Sequence, residues 1–449
     1  MIGLSLQEIA DVTGGTVHGD RDLVVKGSAF IDSRACEQGG LFVAIAGEHV
    51  DGHDFAAHVV DAGAAAVLAT RAVDAPGVVV GEATVALGKI AREVLDRRHE
   101  LGVIGVTGSQ GKTSTKDLLS RVLVVAGSTI ASAGSFNNEL GVPLTVLRAE
   151  DQTRFLVVEM GSRGIGHIET LCTIAPPDIG VVLNVGTAHV GEFGSAENIA
   201  RAKGELIEAL PIGGTAILNA DDPRVLAMSS RTDARIITFG EAGDLALSGV
   251  RLGDNGEPHF TLSYGGQGIE TSVPRLGTHQ AVNAAAAAAV GIAVGMTLAD
   301  IGIALENATA QSPMRMAKVV REDGVVVIND AYNANPDSMA AALRALAAIG
   351  GGGRTYAVLG EMLELGETSA DAHLAVGALA AELGITCVVA VGDGAAGIAE
   401  GAGFRAHRVA DVEAAVSFLT ERLQRSDVVI VKASRGARLE RVADALLGR

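Results

Sequence analysis

Tryptophan is absent from this chain, and aromatic residues make up only 3% of its 449 residues. Its cores must therefore be built from alanine, valine, leucine and isoleucine. Cysteine is scarce too, because Cys36, Cys172 and Cys387 lie far apart and form neither a C-x-x-C pair nor an even-numbered framework. The N-terminal residues lack the apolar core of a signal peptide. These absences predict a protein of the reducing cytoplasm.

Basic residues are outnumbered by acidic ones. The chain has 35 Lys and Arg against 53 Asp and Glu, a formal net charge of −18, and no block of Lys or Arg. This balance disfavours binding to nucleic acid or to an anionic membrane. Apolar residues reach 48% and charged residues 20%, which excludes a disordered chain. At roughly 150 residues per domain, the length predicts about three domains.

A long uncharged run between Arg275 and Asp300 raises the question of a membrane span. It consists mainly of alanine and glycine, contains Gln280 and Asn283, and shows no Lys/Arg asymmetry at its flanks. We therefore expect a tightly packed soluble helix beginning near Thr278, and no membrane insertion.

Apolar runs that look like strands alternate with helical stretches along most of the chain. They lie at residues 103–106, 155–160, 179–184, 216–219 and 236–239, and again at 325–328, 356–359, 388–391 and 428–431. This alternation predicts α/β domains with mainly parallel sheets. Residues 245–273 instead alternate with Gly-containing turns, which predicts antiparallel strands.

Helix and domain limits follow from local signals. The stretch SLQE at 5–8 predicts a capping box and a helix that ends near Gly14, and a second helix is expected over 89–101. We predict three domains: a small N-terminal α/β domain at 1–100, a central P-loop domain with a parallel sheet at 101–312, and a C-terminal Rossmann-like α/β domain at 313–449.

A glycine-rich loop is the strongest local signal of chemistry. The stretch TGSQGKTS at 107–114 follows an apolar strand and precedes a helical stretch at 115–125, which is the context of a P-loop. Backbone N–H groups and the helix N-terminus would hold phosphate, Lys112 would reach the β- and γ-phosphates, and Thr113 would bind Mg²⁺. Val106 stands where the strict pattern has glycine or alanine, so an ordinary turn opening a helix stays the alternative.

Two polar side chains lie where further strands end. Glu159 follows the run at 155–158, and His189 lies in the loop after the run at 179–184. Because ligands bind at the carboxyl ends of parallel strands, both could face the phosphate loop and hold Mg²⁺. The alternatives are an ordinary turn acid for Glu159 and a backbone-bonded loop residue for His189.

A lysine lies on the apolar face of a predicted helix. Residues 196–210 show an apolar stripe that includes Ile199, Leu206 and Ile207, and Lys203 falls on the same stripe. A core-facing ammonium is costly unless it is paired or neutralised. Either its head escapes to solvent while its stem packs, or it is aimed at the site and chemically modified.

Short stretches spread over the whole chain match the motifs of one known family. They are DSR at 32–34, LFVAI at 41–45, DGHDF at 51–55, the phosphate loop, NN at 137–138, GVPLT at 141–145, EMG at 159–161, NVGTAH at 184–189, AKGE at 202–205, NADD at 219–222, GTH at 277–279, NA at 283–284, DAYNANPDS at 330–338, LGEMLELG at 359–366 and KASRG at 432–436. In these stretches the chain resembles the Mur ligases, the ATP-dependent amide-forming enzymes of peptidoglycan precursor synthesis.

The resemblance implies a role for each matching site residue. The ATP phosphates would be held by Lys112 and by the loop residues Gly108, Ser109, Gln110, Gly111, Thr113 and Ser114. Two Mg²⁺ ions are implied, one on Thr113 and Glu159 and one on Glu159, His189 and a carbamylated Lys203. Asn283 would contact adenine, and Arg315 and Asp330 would close over the nucleotide from the C-terminal domain.

The resemblance also implies the substrates, and the sequence departs from the family pattern at one position. The N-terminal domain would bind a UDP-sugar peptide, and the C-terminal domain would bind the incoming amine. Substrate contacts would come from Ser33, Arg34, Asn137, Asn138, Asn333 and Asn335. Met314 stands before Arg315 where the family often has glycine, which puts the local backbone in question. Domain closure is expected, with a hinge near Ser312 and Pro313.

The stretches YNANP at 332–336 and GEMLELG at 360–366 resemble the branch that joins UDP-N-acetylmuramoyl-tripeptide to D-alanyl-D-alanine. This implies a cytoplasmic ligase that acts through an acyl phosphate, which we expect to be a monomer with these two small-molecule partners and no nucleic acid. Two other classes stay open: another P-loop enzyme such as a kinase, and a nucleotide-binding module without catalysis.

Overall fold

The computed structural model describes residues 1–47, 49–186, 190–309, 312–350 and 353–449, without the side chains of residues 190 and 192. The described chain forms three main β-sheets one after another along the sequence, each flanked by helices. This is the three-part α/β architecture predicted from the alternating apolar runs. The domain limits at residues 100 and 312 stay predictions.

The N-terminal sheet has five strands in the order β2-β7-β6-β5-β4, and β1 pairs separately with β3. All its strand pairs are parallel except that of β2 with β7. The elements are β1 (Leu4–Ser5), α1 (Leu6–Thr13), β2 (Thr16–His18), β3 (Val24–Val25), β4 (Ala29–Phe30), β5 (Leu41–Val43), α2 (Ala56–Asp61), β6 (Ala66–Ala69), β7 (Gly77–Val79) and α3 (Ala83–Asp96).

The central sheet has nine strands in the order β16-β15-β14-β13-β12-β11-β8-β10-β9. Its elements are β8 (Gly102–Thr107), α4 (Lys112–Ala126), β9 (Thr129–Ala131), α5 (Gly141–Val146), β10 (Phe155–Glu159), α6 (His167–Ile174), β11 (Ile179–Val182), α7 (Val190–Phe193), α8 (Ala196–Glu208), β12 (Thr215–Asn219), α9 (Pro223–Leu226), β13 (Arg235–Gly240), β14 (Leu245–Leu252), β15 (Pro258–Tyr264), β16 (Gln267–Ser272), α10 (His279–Ala293) and α11 (Leu298–Glu306). The antiparallel strands predicted within 245–273 are present, at one edge of this otherwise parallel sheet.

The C-terminal sheet has six strands in the order β17-β18-β22-β19-β20-β21, parallel except for β17 with β18. Its elements are β17 (Ala317–Val320), β18 (Val326–Asn329), α12 (Pro336–Ile349), β19 (Thr355–Leu359), α13 (Ser369–Glu382), β20 (Cys387–Val391), α14 (Ala396–Ala402), β21 (Ala406–Val409), α15 (Val412–Thr420), β22 (Val428–Lys432) and α16 (Glu440–Leu446).

The chain changes direction across β8, and this positions the site. Strand β10 lies on one side of β8 and β11 on the other. The carboxyl ends of these three strands therefore frame a crevice at a topological switch point, where ligands bind in open α/β sheets. Helix α4 begins at Lys112, directly after the glycine-rich loop and three residues before the predicted start.

Capping explains two helix limits. The predicted box is present, because the Ser5 hydroxyl accepts from the Glu8 N–H and the Glu8 carboxylate accepts from the Ser5 N–H; Gly14 ends α1 with φ of 75°. The helix predicted over 89–101 is present but begins and ends earlier in the sequence than predicted. Helix α3 begins at Ala83, because the Glu82 carboxylate caps the N–H groups of Thr84 and Val85, and it ends at Asp96.

The alanine-rich run forms α10, which is buried along most of its length. The alanines at 284–289 are fully buried, and α10 packs against α4. Within the described residues, no helix is both long and apolar enough to cross a membrane.

Candidate active site

The glycine-rich loop wraps the N-terminus of α4 as predicted. Gly111 lies in the left-handed region with φ of 81°, and a Cβ atom there would lie 2.6 Å from Asn283 Oδ1. Asn184, two residues after the end of β11, accepts from the Gln110 N–H at 3.0 Å and donates to the Gln110 carbonyl at 3.2 Å. The loop conformation is therefore fixed by the positive φ of Gly111 and by the hydrogen bonds of the Asn184 amide.

Thr113 and Glu159 meet at the start of α4. The Thr113 hydroxyl donates to Glu159 Oε2 at 2.9 Å, and Asn137 Nδ2 donates to Glu159 Oε1 at 2.8 Å. Glu159 is 1% exposed, and both of these donors are neutral. A buried carboxylate and a hydroxyl at a phosphate loop form a set of hard oxygen ligands that suits Mg²⁺. Among the described side chains, no group of three or more His, Cys, Asp or Glu could hold a metal ion.

Lys203 is buried at 4% exposure and lines the same cavity as Glu159. The alternative in which its head escapes to solvent is therefore wrong. No described residue provides it with a hydrogen bond or an ion pair. Burial, and then the positive charge of Lys112, hold the pKa of Lys203 well below its usual value. The side chain is thus a poor cation and a candidate neutral amine.

Lys112, the first residue of α4, contacts the glycine-rich loop. Its ammonium donates to the Gly108 carbonyl at 2.7 Å. Burial lowers the pKa of Lys112, while the Glu159 carboxylate opposes that shift and Arg315 adds to it. Lys112, Glu159 and Arg315 are therefore close enough to act on one ligand.

Arg315 reaches the phosphate loop from the C-terminal part of the chain. Its Nη2 atom donates to Thr113 Oγ1 at 3.3 Å and to Ser135 Oγ at 3.2 Å, and its guanidinium stacks 4.2 Å from the Tyr332 ring centroid. Met314 and Met316, on either side of it, adopt φ of 55° and 54°. The backbone at Met314 is thus in the left-handed conformation that glycine favours, although the residue is methionine.

Asp330 and Lys432, both from the C-terminal part of the chain, form a buried pair that lines the same cavity. Lys432 Nζ lies 2.7 Å from Asp330 Oδ2 and donates to the Asn333 carbonyl at 2.8 Å. Asp330 Oδ1 accepts from the Met316 N–H at 3.0 Å. Burial lowers the pKa of Lys432, and Asp330 opposes this. Asp330 therefore shapes the Arg315 segment through the backbone as well as facing the cavity.

Three polar side chains of α10 line the cavity near Gly111. Asn283 Nδ2 donates to Gln280 Oε1 at 3.1 Å, and Gln280 Nε2 lies 3.0 Å from His279 Nε2. Desolvation lowers the pKa of His279 to about 4, which Asp330 partly opposes. His279 thus presents a neutral imidazole beside two amides.

One cavity of about 700 Å³ brings most of these residues together. The predicted residues that line it are Ser109, Gln110, Gly111, Lys112, Thr113, Ser114, Asn137, Asn138, Glu159, Lys203, Asn283, Arg315, Asp330, Asn333 and Asn335. Gly108 lies just behind the loop surface, where its carbonyl holds Lys112. Ile31, from the N-terminal part of the chain, also lines the cavity. Residues from all three parts of the chain therefore contribute to its lining.

Two predicted residues of the N-terminal part do not join this group. Ser33 and Arg34 do not line the cavity, and Arg34 is exposed and paired with Asp32 at 2.8 Å. His189 lies outside the described residues. Asn335 lines the cavity but also caps α12, accepting from the Ser338 N–H at 2.8 Å. The substrate contacts proposed for Ser33 and Arg34 stay predictions.

Known proteins resemble this chain over its full length. Three family models match: "Mur ligase family, catalytic domain" at 29–104, "Mur ligase middle domain" at 106–291, and "Mur ligase, glutamate ligase domain" at 314–435. The UDP-N-acetylmuramoyl-tripeptide--D-alanyl-D-alanine ligase of Mycobacterium tuberculosis (strain ATCC 25618 / H37Rv) is 44% identical, over 100% of this chain and 98% of that protein. The chain belongs to the Mur ligase family.

Solved structures of the family agree with this placement. The structure of MurF from Acinetobacter baumannii matches with a TM-score of 0.89 and 32% identity, covering 100% of this chain and 99% of that one. MurF ligase from Thermotoga maritima, in complex with ADP, matches with a TM-score of 0.81 and 30% identity over 96% and 99% of the two chains. The resemblance to Mur ligases found in the sequence motifs is confirmed.

Several residues that line the Mur ligase cavity were not singled out in the sequence. They include Ser135, His279, Gln280, Tyr332, Lys432 and Arg435. Five of them fall inside or directly beside the motif stretches, which was the available signal. Nothing local shows that Lys432 faces Asp330, because the pair joins residues 102 positions apart.

Proposed function

We propose that this protein is an ATP-dependent ligase that joins UDP-N-acetylmuramoyl-tripeptide to D-alanyl-D-alanine in peptidoglycan precursor synthesis. The observation that carries the proposal is the single cavity in which Lys112, Thr113 and Glu159 of the phosphate loop face Arg315 and Lys432 of the C-terminal sheet. Relatives with this activity in their names match over the full chain length. ATP use is supported by the family and by the ADP-bound relative.

The reaction needs ATP because a carboxylate is a poor electrophile. A terminal carboxylate oxygen of the tripeptide attacks the γ-phosphorus, the bond from phosphorus to the bridging oxygen breaks, and an acyl phosphate and ADP form. The amine of D-alanyl-D-alanine then attacks the acyl carbon, loses a proton, and the resulting tetrahedral intermediate expels phosphate. The protein's contribution is positioning and charge stabilisation.

The charge of the cavity suits these reactants. Lys112, Arg315, Lys432 and Arg435 line it in a chain of net charge −18. A cleft with cationic walls concentrates anionic substrates and lowers the repulsion between a carboxylate and a triphosphate. We assign Lys112 and Arg315 to the phosphates, His279 and Asn283 to the base side, and Asn137, Asn138 and Asn333 to substrate contacts.

Metal binding is assigned to the oxygen ligands beside the loop. Thr113 and Glu159 would hold one Mg²⁺, and Glu159 with His189 and a modified Lys203 would hold a second. Bound there, Mg²⁺ would supply charge neutralisation at the phosphates. Glu159 fits this role because its hydrogen-bond donors, Thr113 and Asn137, are neutral and leave its negative charge available.

We assign a carbamate to Lys203. Its neutral amine would attack CO₂, forming an N–C bond and releasing one proton, so that a buried would-be cation becomes a carboxylate-like anion beside Lys112. The support is its 4% exposure and the absence of an anionic partner among the described residues. Protein incubated with ¹³C-bicarbonate should give a carbamate carbon signal that Lys203→Ala lacks. Identical spectra would contradict the carbamate.

The three cysteines, none of them in a disulfide, agree with the cytoplasm as the proposed compartment. We keep a monomer as the proposed oligomeric state.

A phosphate-release assay tests the proposed function. The chain is incubated with ATP, Mg²⁺ and a UDP-muramoyl-tripeptide that ends in lysine or in meso-diaminopimelate, with and without D-alanyl-D-alanine. We expect sustained phosphate release only with the dipeptide, abolished by Lys112→Ala and unchanged by Lys89→Ala. Phosphate transfer without an amine requirement would indicate a kinase, and ATP binding without turnover would indicate a binding module.

A further inference from the structure

A second polar cluster lies outside the cavity, on helix α4, which follows the phosphate loop. Lys116 and Asp117 are 2% and 1% exposed, and their charged groups lie 2.8 Å apart. They follow Thr113 by three and four residues, so all three side chains lie on one face of α4. Neither Lys116 nor Asp117 lines the cavity. Two buried charges are costly to keep, which raises the question of what they hold.

Asp117 holds the start of the segment that carries Arg315. Its Oδ2 atom accepts from the Ser312 N–H at 3.0 Å, and its Oδ1 atom accepts from the Ser312 hydroxyl at 3.0 Å. Arg275 lies 3.8 Å from the same carboxylate. Ser312 is therefore fixed to α4 three residues before Arg315.

Lys116 holds a second segment of the site. Its ammonium donates to the carbonyls of Ser132 at 2.8 Å and Gly134 at 3.0 Å, directly before Ser135. The Ser132 hydroxyl in turn accepts from the Glu159 N–H at 3.1 Å. Lys116 therefore fixes the backbone next to Ser135. Through Ser132 it is also linked to Glu159, at the end of β10.

The two held segments converge again inside the cavity. Arg315 Nη2 donates to Thr113 Oγ1 and Ser135 Oγ, so the chain after Ser312 is tied at both ends to the same face of α4. Between these ties, Met314 adopts φ of 55°. A non-glycine residue keeps such a conformation only where its surroundings over-determine it. The ties at Ser312 and Arg315 provide that constraint.

We propose that Asp117, paired with Lys116, is a positioning residue that anchors the interdomain segment so that Arg315 reaches the phosphate loop. The inference rests on the proposed function for the role of Arg315 toward ATP. Asp117 acts through Arg315 and does not touch the nucleotide. Its contribution should therefore vanish once Arg315 is removed.

A double-mutant cycle tests this dependence. Asp117→Asn is made in the wild type and in Arg315→Ala, and kcat/KM for ATP and the Kd of a non-hydrolysable ATP analogue are measured. In the wild type, we expect Asp117→Asn to lower kcat/KM for ATP and to raise the Kd of the analogue, each by about tenfold. In Arg315→Ala, each change should be less than about twofold. Ser312→Ala, which keeps the Lys116–Asp117 pair, should show the same pattern at about threefold and decides if Asp117→Asn does not fold.

Asp427→Asn is the matched control. Asp427 is also buried at 2% exposure and paired with an arginine, Arg354, at 2.7 Å, but it lies away from the cavity. Asp427→Asn should change kcat/KM for ATP and the Kd of the analogue by the same factor in the wild type and in Arg315→Ala. Equal effects of Asp117→Asn in both backgrounds, or no effect of Arg315→Ala on ATP, would overturn the inference. An inactive wild type with a coupled affinity cycle would instead overturn the proposed function alone.

Discussion

At the scale of single residues, Lys203 shows how a helix pattern can reveal chemistry. Its spacing from Ile199 and Ile207 placed an amine on the buried side of α8, and the structure confirms that position at 4% exposure. The same pattern could not show its neighbours. The influence of Lys112 on the pKa of Lys203 joins residues 91 positions apart, and only the folded chain reveals it.

Removing this amine should stop ligation. We expect Lys203→Ala to lower kcat/KM by more than about a hundredfold, because a first ligand of the proposed metal site is lost, and added bicarbonate should not restore it. Steady-state phosphate release measures the effect, with thermal unfolding run alongside. Unchanged activity in a folded Lys203→Ala protein would remove the carbamate from the mechanism.

Gly111 is the loop position least able to carry a side chain. Its φ of 81° and the 2.6 Å approach of Asn283 Oδ1 to an added Cβ combine backbone strain with a clash. We expect Gly111→Ala to raise KM for ATP by about a hundredfold, because the loop must shift away from its phosphate-binding geometry.

The matched control is Gly265→Ala, in the turn after β15. Gly265 also has positive φ, 58°, but an added Cβ would meet nothing within 4 Å. It should lower the free energy of unfolding by about 1 kcal/mol and leave KM for ATP unchanged. Equal kinetic effects of the two alanines would show that the clash at Gly111 does not shape the loop.

At the scale of elements, the sequence predicts central strands better than edge strands. In the central and C-terminal sheets, every strand expected from a buried apolar run is present, whereas β9, β17 and β21 were not predicted. All three lie at sheet edges and are only partly buried, so they lack the continuous apolar run that marks a strand covered on both faces. Phosphate-loop geometry was predictable because it is local.

The alanine-rich helix α10 leaves no room for larger side chains. Ala288 is fully buried in a helix that packs on α4, so Ala288→Leu should overpack the contact and cost about 1–3 kcal/mol of stability. KM for ATP should rise as well, because α4 carries Lys112 and Thr113. Chemical denaturation and steady-state kinetics measure the two effects.

Ala293, at the half-buried end of the same helix, provides the comparison. Ala293→Leu should change stability by less than about 0.5 kcal/mol and leave KM for ATP unchanged. A stable Ala288→Leu protein with normal kinetics would show that the helix contact is not tightly packed.

At the scale of the whole molecule, the site depends on three sheets meeting at one cavity. The hinge near Ser312 and Pro313 stays a prediction, to which the structure adds that Ser312 is hydrogen-bonded to Asp117 on α4. If this hydrogen bond persists during closure, we expect the C-terminal sheet to rotate about the chain after Ser312. The sequence indicated the boundary through its proline but could not show the anchor, since the contact joins residues 195 positions apart.

Closure should be visible in solution. Arg315 bonds to Thr113 and Ser135 across the cavity, so nucleotide that binds both walls should favour a compact arrangement. We expect small-angle scattering to give a smaller radius of gyration with a non-hydrolysable ATP analogue than without it. Superimposable curves would contradict closure on binding.

Transfer of oxygen between the substrates tests the proposed chemistry most directly. If the carboxylate attacks the γ-phosphorus, one carboxylate oxygen must leave with inorganic phosphate. UDP-muramoyl-tripeptide labelled with ¹⁸O in its terminal carboxylate, incubated with ATP, Mg²⁺ and D-alanyl-D-alanine, should therefore yield phosphate carrying one ¹⁸O atom per ligation. Amide product accompanied by unlabelled phosphate would contradict an acyl phosphate formed in this cavity.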